Sequence, residues 1–270
     1  MKIIEVTGIK KTFSLSAKQR KINQTNEKLK VAISDVNFYV NKGEIFGLLG
    51  SNGAGKTTTL RCIATLIKPD EGNILIDGID ISNDLDVRKK IAFLTNELKL
   101  EDQFTPNYIY DYFSKFHNLN DEYIEKRKNE LFDKFEITKF AETKIGDLST
   151  GMKQKVSIAV SLVHDPDIII FDEPTNGLDV ITAKVVTDYL IDMKNKGKTI
   201  IISTHIMSLV EKICDRIGII VNGKVKLCDT IENIKNNSSS HDLEEVFFNL
   251  YKEELGDYSW KKLNKLLKKN

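Results

Sequence analysis

The sequence carries no surplus of either charge. Its 40 Lys and Arg stand against 39 Asp and Glu, which removes the broad basic surface that general nucleic-acid binding uses. Long hydrophobic runs are missing as well. No apolar stretch approaches the ~18 residues of a bilayer-crossing helix, so no membrane span is expected within this sequence. Cysteine is scarce, with three in 270 residues. Cys62, Cys214 and Cys228 lie far apart in apolar contexts and form no CxxC pair. That excludes a disulfide framework and reads as buried thiols in a reducing compartment. Residues 1–6 alternate as a short strand, not as a signal peptide, so the expected place is the cytoplasm or a cytoplasmic face. Coiled-coil heptads are absent too. The length suits one large domain or two small ones with an ample core.

What is present centres on Gly50-Ser51-Asn52-Gly53-Ala54-Gly55-Lys56-Thr57-Thr58. A Gly, four residues, then Gly-Lys-Thr is the phosphate-loop pattern. The apolar run Ile45–Leu49 before it reads as a buried strand. Thr58 to Ile67 reads as a helix with Leu60, Ile63, Ala64 and Ile67 on one side. Glycines let backbone N–H groups turn toward phosphate oxygens, and the helix N-terminus adds positive potential. Lys56 supplies a charge for the outer phosphates, and the Thr57 hydroxyl suits Mg²⁺.

Around this motif the chain reads as α/β, a P-loop NTPase type with a mostly parallel central sheet. Antiparallel strands precede it: an alternating strand over 2–8 and a second over Val31–Val40. Between them, residues 14–30 hold five basic residues and one acidic, a composition read as a mobile, solvated insertion. From about 98 to 150, apolar residues recur at helical spacing (Ile109, Tyr112, Phe113, Phe116, Ile124, Leu131, Phe135). This predicts an inserted helical subdomain whose aromatic stripes are core. Strand and helix then alternate again, and Asn222-Gly223 between two apolar runs marks a hairpin. The expected division is an ATPase domain over 1–235 and an amphipathic helical tail over 236–270.

Two further motifs carry chemistry. Ile168-Ile169-Ile170-Phe171-Asp172-Glu173 is an apolar strand ending in two carboxylates at the ligand edge of a parallel sheet. Asp172 can hold Mg²⁺, and Glu173 can take a proton from an attacking water. Leu148-Ser149-Thr150-Gly151-Met152 reads as a helix start. Ser149 is an N-cap type, and Gly151 leaves backbone N–H groups open to an anion.

Phosphate loop, Leu-Ser-Thr-Gly-Met signature, Asp172-Glu173-Pro174-Thr175-Asn176-Gly177-Leu178-Asp179 and Ser203-Thr204-His205, in that order, resemble the nucleotide-binding subunit of an ATP-binding cassette (ABC) transporter. The likeness covers about residues 2–230, and the signature is its discriminating piece. Leu-Ser-Thr-Gly-Met-Lys-Gln-Lys looks most like the sodium- or drug-exporting, NatA-like branch with ABC-2 type partners. The resemblance implies a head-to-tail dimer with ATP between Lys56 of one chain and Ser149, Thr150 and Gly151 of the other. It implies that Phe13 stacks on adenine, Glu173 is the general base, His205 contacts the γ-phosphate and Asp179 communicates across the dimer. ATP and Mg²⁺ are the implied cofactors, and an integral-membrane permease and a second nucleotide-binding subunit the implied partners. Nucleic acid is not an expected partner. One departure stands out. Where the family has Gln after the strand Ile91–Thr95, this chain has Asn96-Glu97; either Asn96 takes the metal-contacting place or Glu97 supplies a carboxylate oxygen there instead.

The expected function is therefore ATP hydrolysis energising export of Na⁺ or a small amphipathic compound, on the cytoplasmic face of the membrane. Three rivals remain: an importer ATPase, a soluble cassette acting on ribosomes or nucleic acid, and a regulatory module that binds ATP without hydrolysing it.

Overall fold

A computed structural model describes residues 1–22, 25–95, 100–117, 119–238 and 241–254. In chain order the elements are β1 (Lys2–Ser14), α1 (Ala17–Ile22), β2 (Leu29–Asn41), β3 (Ile45–Leu49), α2 (Lys56–Ile63), β4 (Glu71–Ile76) and β5 (Ile79–Asp80). Then come α3 (Asp84–Lys90), β6 (Ile91–Thr95), α4 (Pro106–Phe116), α5 (Asp121–Lys134) and α6 (Thr150–Ser161). The chain continues through β7 (Ile168–Asp172), α7 (Val180–Asn195), β8 (Thr199–Thr204), α8 (Met207–Ile213), β9 (Arg216–Val221), β10 (Lys224–Thr230) and α9 (Ile231–Asn236). These group into two compact units, Met1–Asp84 with Ser203–Asn270, and Leu85–Ile202.

In the first unit, β2-β1-β4-β5 form an antiparallel sheet. Ile4 and Val6 are buried on β1 as its alternation predicts, and Ile9, out of that phase, is buried beyond a register shift where Gly8 takes φ 60°. In the described part of 14–30 the chain carries a helix, α1, none of whose residues is buried. β1 and β2 stay paired out to Ser14 and Leu29, and α1 follows. A reciprocal cap starts that helix: the Ser16 amide donates to Gln19 Oε1 (2.8 Å) and the Gln19 amide to Ser16 Oγ (3.2 Å). This Ser-x-x-Gln pair satisfies two orphan donors, which composition alone does not reveal. α2 is shorter than predicted. It ends at Ile63 because Thr65 turns to φ 60°, so Ile67 lies beyond it.

The same unit contains β10-β9-β3, with β9 parallel to β3. The hairpin at Asn222-Gly223 is as expected, with φ 49° and 78° and Val221 opposite Lys224. Near the start of β9 lies a buried ion pair, Arg216 to Glu44 at 3.0 Å, and the Arg216 guanidinium also sits 4.2 Å over the Tyr39 ring. Arg216 Nη2 donates to Cys228 Sγ at 3.5 Å. Cys214 is partly buried and packs against the apolar core, Cys228 is partly buried beside Arg216, and Cys62 is buried, with burial pushing its thiol up to about 12. Residues 243–254 are helical, and Leu243 and Phe247 pack on Val210, Ile217 and Ile219. The rest of the predicted tail, Trp260 included, lies outside the described residues.

In the second unit the strand order is β8-β7-β6, with β6 parallel to β7. Its helical part follows β6. Thr105 caps α4 by accepting from the Tyr108 amide (3.2 Å), with Pro106 in the first turn. Ile109, Leu131 and Phe135 are core as predicted, but Tyr112, Phe113 and Phe116 are exposed. α4 is apolar on two sides: Ile109 and Tyr110 face inward, while Tyr108, Tyr112 and Phe116, spaced four apart, stand on the outer face.

Candidate functional site

Within the first unit the strand β3, with all five residues buried, delivers the chain into the phosphate loop. Gly55 is the N-cap of α2 at φ 109°, and no side chain caps the helix. Its first-turn N–H groups are therefore available to an anion. A Cβ at Gly55 would stand 2.8 Å from the Ala32 carbonyl oxygen and 2.7 Å from Ile33 Cγ2. One at Gly50 would meet the Ile220 carbonyl at 2.6 Å. Both positions accept only glycine, so the loop is held by its backbone neighbours. The Gly223 amide donates to the Ala54 carbonyl (2.9 Å), tying the β9–β10 hairpin to the loop.

Lys56 is 4% exposed, and its Nζ donates to the carbonyls of Gly50 (2.8 Å) and Ser51 (3.1 Å). An ammonium folded over its own loop sits where it can address an anion cradled there. Thr57 and Thr58 stand in the first turn of α2, both half-buried, and Ser51 is half-buried while Asn52 and Gly53 are exposed. The Gly50 amide donates to the Thr204 carbonyl at 3.2 Å. That bond places His205, which is exposed, one residue from the start of the loop. Phe13 is exposed at the end of β1, opposite Lys30, with Lys11 Nζ 5.9 Å from its ring centre.

In the second unit β7 is buried throughout and ends at Asp172, 8% exposed and in register with Thr95 of β6. Asn96, the residue that follows β6 in the sequence, lies outside the described residues. Glu173 takes φ 54°, the left-handed region that costs a non-glycine residue about 1–2 kcal/mol. The turn is stitched by the Asn176 amide to the Glu173 carbonyl (3.1 Å) and the Leu178 amide to the Thr175 carbonyl (3.3 Å).

The signature stretch starts α6 as its residue types predict. Ser149 is the N-cap, accepting from the Met152 amide at 3.3 Å. Thr150 and Gly151 follow in the first turn. Asp179 caps α7, its Oδ1 accepting from the Ile181 and Thr182 amides, each at 3.0 Å. These bonds, with the Thr182 hydroxyl, hold its carboxyl below the usual range. Gly151 and Asp179 are brought together: a Cβ on Gly151 would lie 3.5 Å from Asp179 Oδ2.

A family model described as ABC transporter matches residues 33–176. The ABC transporter ATP-binding protein NatA of Bacillus subtilis (strain 168) is 38% identical over 226 residues, covering 83% of this chain and 92% of that protein. The chain belongs to the ABC transporter family. It is an ATP-binding cassette, an ATPase that forms the nucleotide-binding part of a transporter. The methionine import ATP-binding protein MetN of Legionella pneumophila (strain Paris) is 34% identical over 251 residues, 88% of this chain and 67% of that protein. Among solved structures, the dimeric post-hydrolysis cassette MJ0796 bound to ADP and Pi superposes with a TM-score of 0.74 at 28% identity, covering 84% of this chain and 98% of that one. No described helix of this cassette is long and apolar enough to cross a membrane.

Reading the ABC motifs from sequence missed three supporting residues. Thr204 and Gly223 brace the phosphate loop through backbone groups, which any side chain leaves invisible. Thr182 buries its hydroxyl against Asp179; a Thr three residues after an N-cap Asp was the available signal.

Proposed function

We propose that this cassette energises export through a separate permease, working as a head-to-tail dimer on the cytoplasmic face of the membrane. Each ATP is held by the Gly50–Thr58 loop and Lys56 of one chain and by Ser149, Thr150 and Gly151 of the other. Phe13 supports the adenine, and His205 contacts the γ-phosphate. Glu173 accepts the proton of the attacking water, and Asp179 relays the state of one nucleotide to the partner chain. Asn96 stands in the place of the family's Gln. Thr57 and Asp172 offer the hydroxyl and carboxylate oxygens that Mg²⁺ takes. When bound, that ion would neutralise charge on the phosphate oxygens.

The observation that carries the reading is the uncapped, glycine-locked start of α2 with Lys56 folded over it. The strained Glu173 backbone supports the base role. A permease partner is supported by the outer face of α4, where Tyr108, Tyr112 and Phe116 continue from Phe104, just before the helix, as a ladder of rings with centres 4.5, 6.3 and 5.0 Å apart. Tyr112 is 50% exposed and Phe116 65%. Aromatic rings in such number on one exposed helix face mark an interaction surface. Export of Na⁺ or a small amphipathic compound rests on the signature's likeness to the NatA branch and on the NatA relative. The methionine-import relative keeps the importer reading as the second one.

The test is a pull-down with tagged Glu173→Gln chain from detergent-solubilised native membranes in the presence of ATP. A polytopic membrane protein is expected in the eluate. Ribosomes or nucleic acid in its place would refute the transporter role and leave only the ATPase.

A further inference from the structure

Thr182 in the first turn of α7 is 7% exposed and touches two functional stretches at once. Its Oγ1 donates to Asp179 Oδ2 at 2.7 Å. On its other side lies the signature turn: a Cβ built on Gly151 would stand 3.2 Å from Thr182 Oγ1 and 3.6 Å from its Cγ2. Gly151 is thus the residue that lets α6 approach so closely. Capping alone does not call for this hydroxyl, because Asp179 Oδ1 already accepts the Ile181 and Thr182 amides. The hydroxyl takes the second carboxylate oxygen. With both oxygens engaged, the carboxylate can no longer turn about its last torsion, although Asp179 itself is exposed.

We propose that Thr182 is a positioning residue that locks Asp179 to the signature turn of its own chain, so that both present to the partner chain as one rigid edge. This rests on the dimer reading above. Its physical content is pre-organisation: torsional freedom already lost in the single chain is not lost again when the dimer closes. A change that frees Asp179 therefore weakens dimer closure without touching nucleotide binding to the phosphate loop.

The experiment uses the full chain in a Glu173→Gln background and measures two quantities. ATP-dependent dimerisation is followed by analytical ultracentrifugation, and ATP binding to the single chain by calorimetry at low protein concentration. Thr182→Val keeps the shape and removes the donor. Thr182→Ser keeps the donor. Thr182→Ala removes the hydroxyl without bulk and replaces the Val variant if that chain does not fold. The Val or Ala variant is expected to raise the dimer dissociation constant about tenfold, the scale of one hydrogen bond to a charged group. The Ser variant should stay within about twofold of the parent on the same scale. ATP affinity of the single chain should be unchanged in all of them, a pattern that general destabilisation does not produce. Val and Ala variants that dimerise like the parent would overturn the positioning role and leave the dimer reading standing. If the Glu173→Gln parent itself fails to dimerise with ATP while binding it, the dimer reading falls and the positioning role with it.

Discussion

Acidification should destabilise this protein through His164 and, with it, the stacked His117, since burial lowers the pKa of both. His164 lies just beyond α6 with its Nε2 3.2 Å from the Ile91 carbonyl oxygen, so Nε2 carries the hydrogen. Its Nδ1 is buried and has no partner among the described residues. The His117 ring stacks on it at 4.2 Å between centres and 1° between planes. Burial first, then His117 and Lys198, lower its pKa from the ordinary 6.5 to about 4, while the Ile91 bond and Asp165 oppose the shift. Above pH 6.5 the imidazole is neutral in both folded and unfolded chains, and nothing is lost. Below it, the unfolded chain takes up a proton that the folded chain refuses, so stability falls as pH drops toward 4. At pH 5 the difference amounts to about 2 kcal/mol by linkage. His164→Gln keeps a donor for the Ile91 carbonyl and cannot titrate. Urea unfolding of both chains at pH 7.5 and pH 5 isolates the effect. The native chain should lose about 2 kcal/mol more than the variant between the two pH values. Equal losses would show that His164 is protonated freely in the folded state, and the burial argument would be wrong.

Three further outcomes are expected. Glu173→Gln should retain ATP affinity and lose hydrolysis by roughly 10²–10⁴-fold in a phosphate-release assay, whereas near-normal turnover removes Glu173 from the base role. Lys56→Ala should abolish ATP binding by calorimetry; unchanged affinity would contradict the phosphate-loop assignment. Gly55→Ala combines a left-handed φ of 109° with a carbonyl oxygen 2.8 Å from the new methyl. It should cost about 2–4 kcal/mol and lower the melting temperature by about 4 °C or more in scanning calorimetry. An unshifted Tm would mean the loop relaxes more easily than its neighbours suggest.

Much of the fold was legible because local chemistry repeats in short windows. The buried runs Ile45–Leu49 and Ile168–Phe171 became strands, Asn222-Gly223 became the hairpin turn, and Ser149 capped its helix. Other features were open to view and misread. Ser16-x-x-Gln19 was a capping box inside a stretch that composition marked as loose. Helical spacing on α4 fitted two faces at once, and periodicity cannot say which of them meets the core; packing left Tyr112 and Phe116 outside. Thr65 ended α2 early with a left-handed turn to which the apolar pattern of 60–67 was blind.

By itself the sequence determined the chemistry: a glycine-spaced loop with Lys56, a strand that ends in Asp172 and Glu173, and a signature that names the family. Those depend on residue type and near-neighbour spacing, which the chain carries in one dimension. Only the tertiary structure decided that Gly50 and Gly55 are glycine because the Ile220 and Ala32 carbonyls crowd them, and that Gly151 meets Thr182 and Asp179. Those partners are 23 or more residues apart (55 − 32). Their meeting is set by how strands and helices pack, and packing is a property of the whole core that no single window contains.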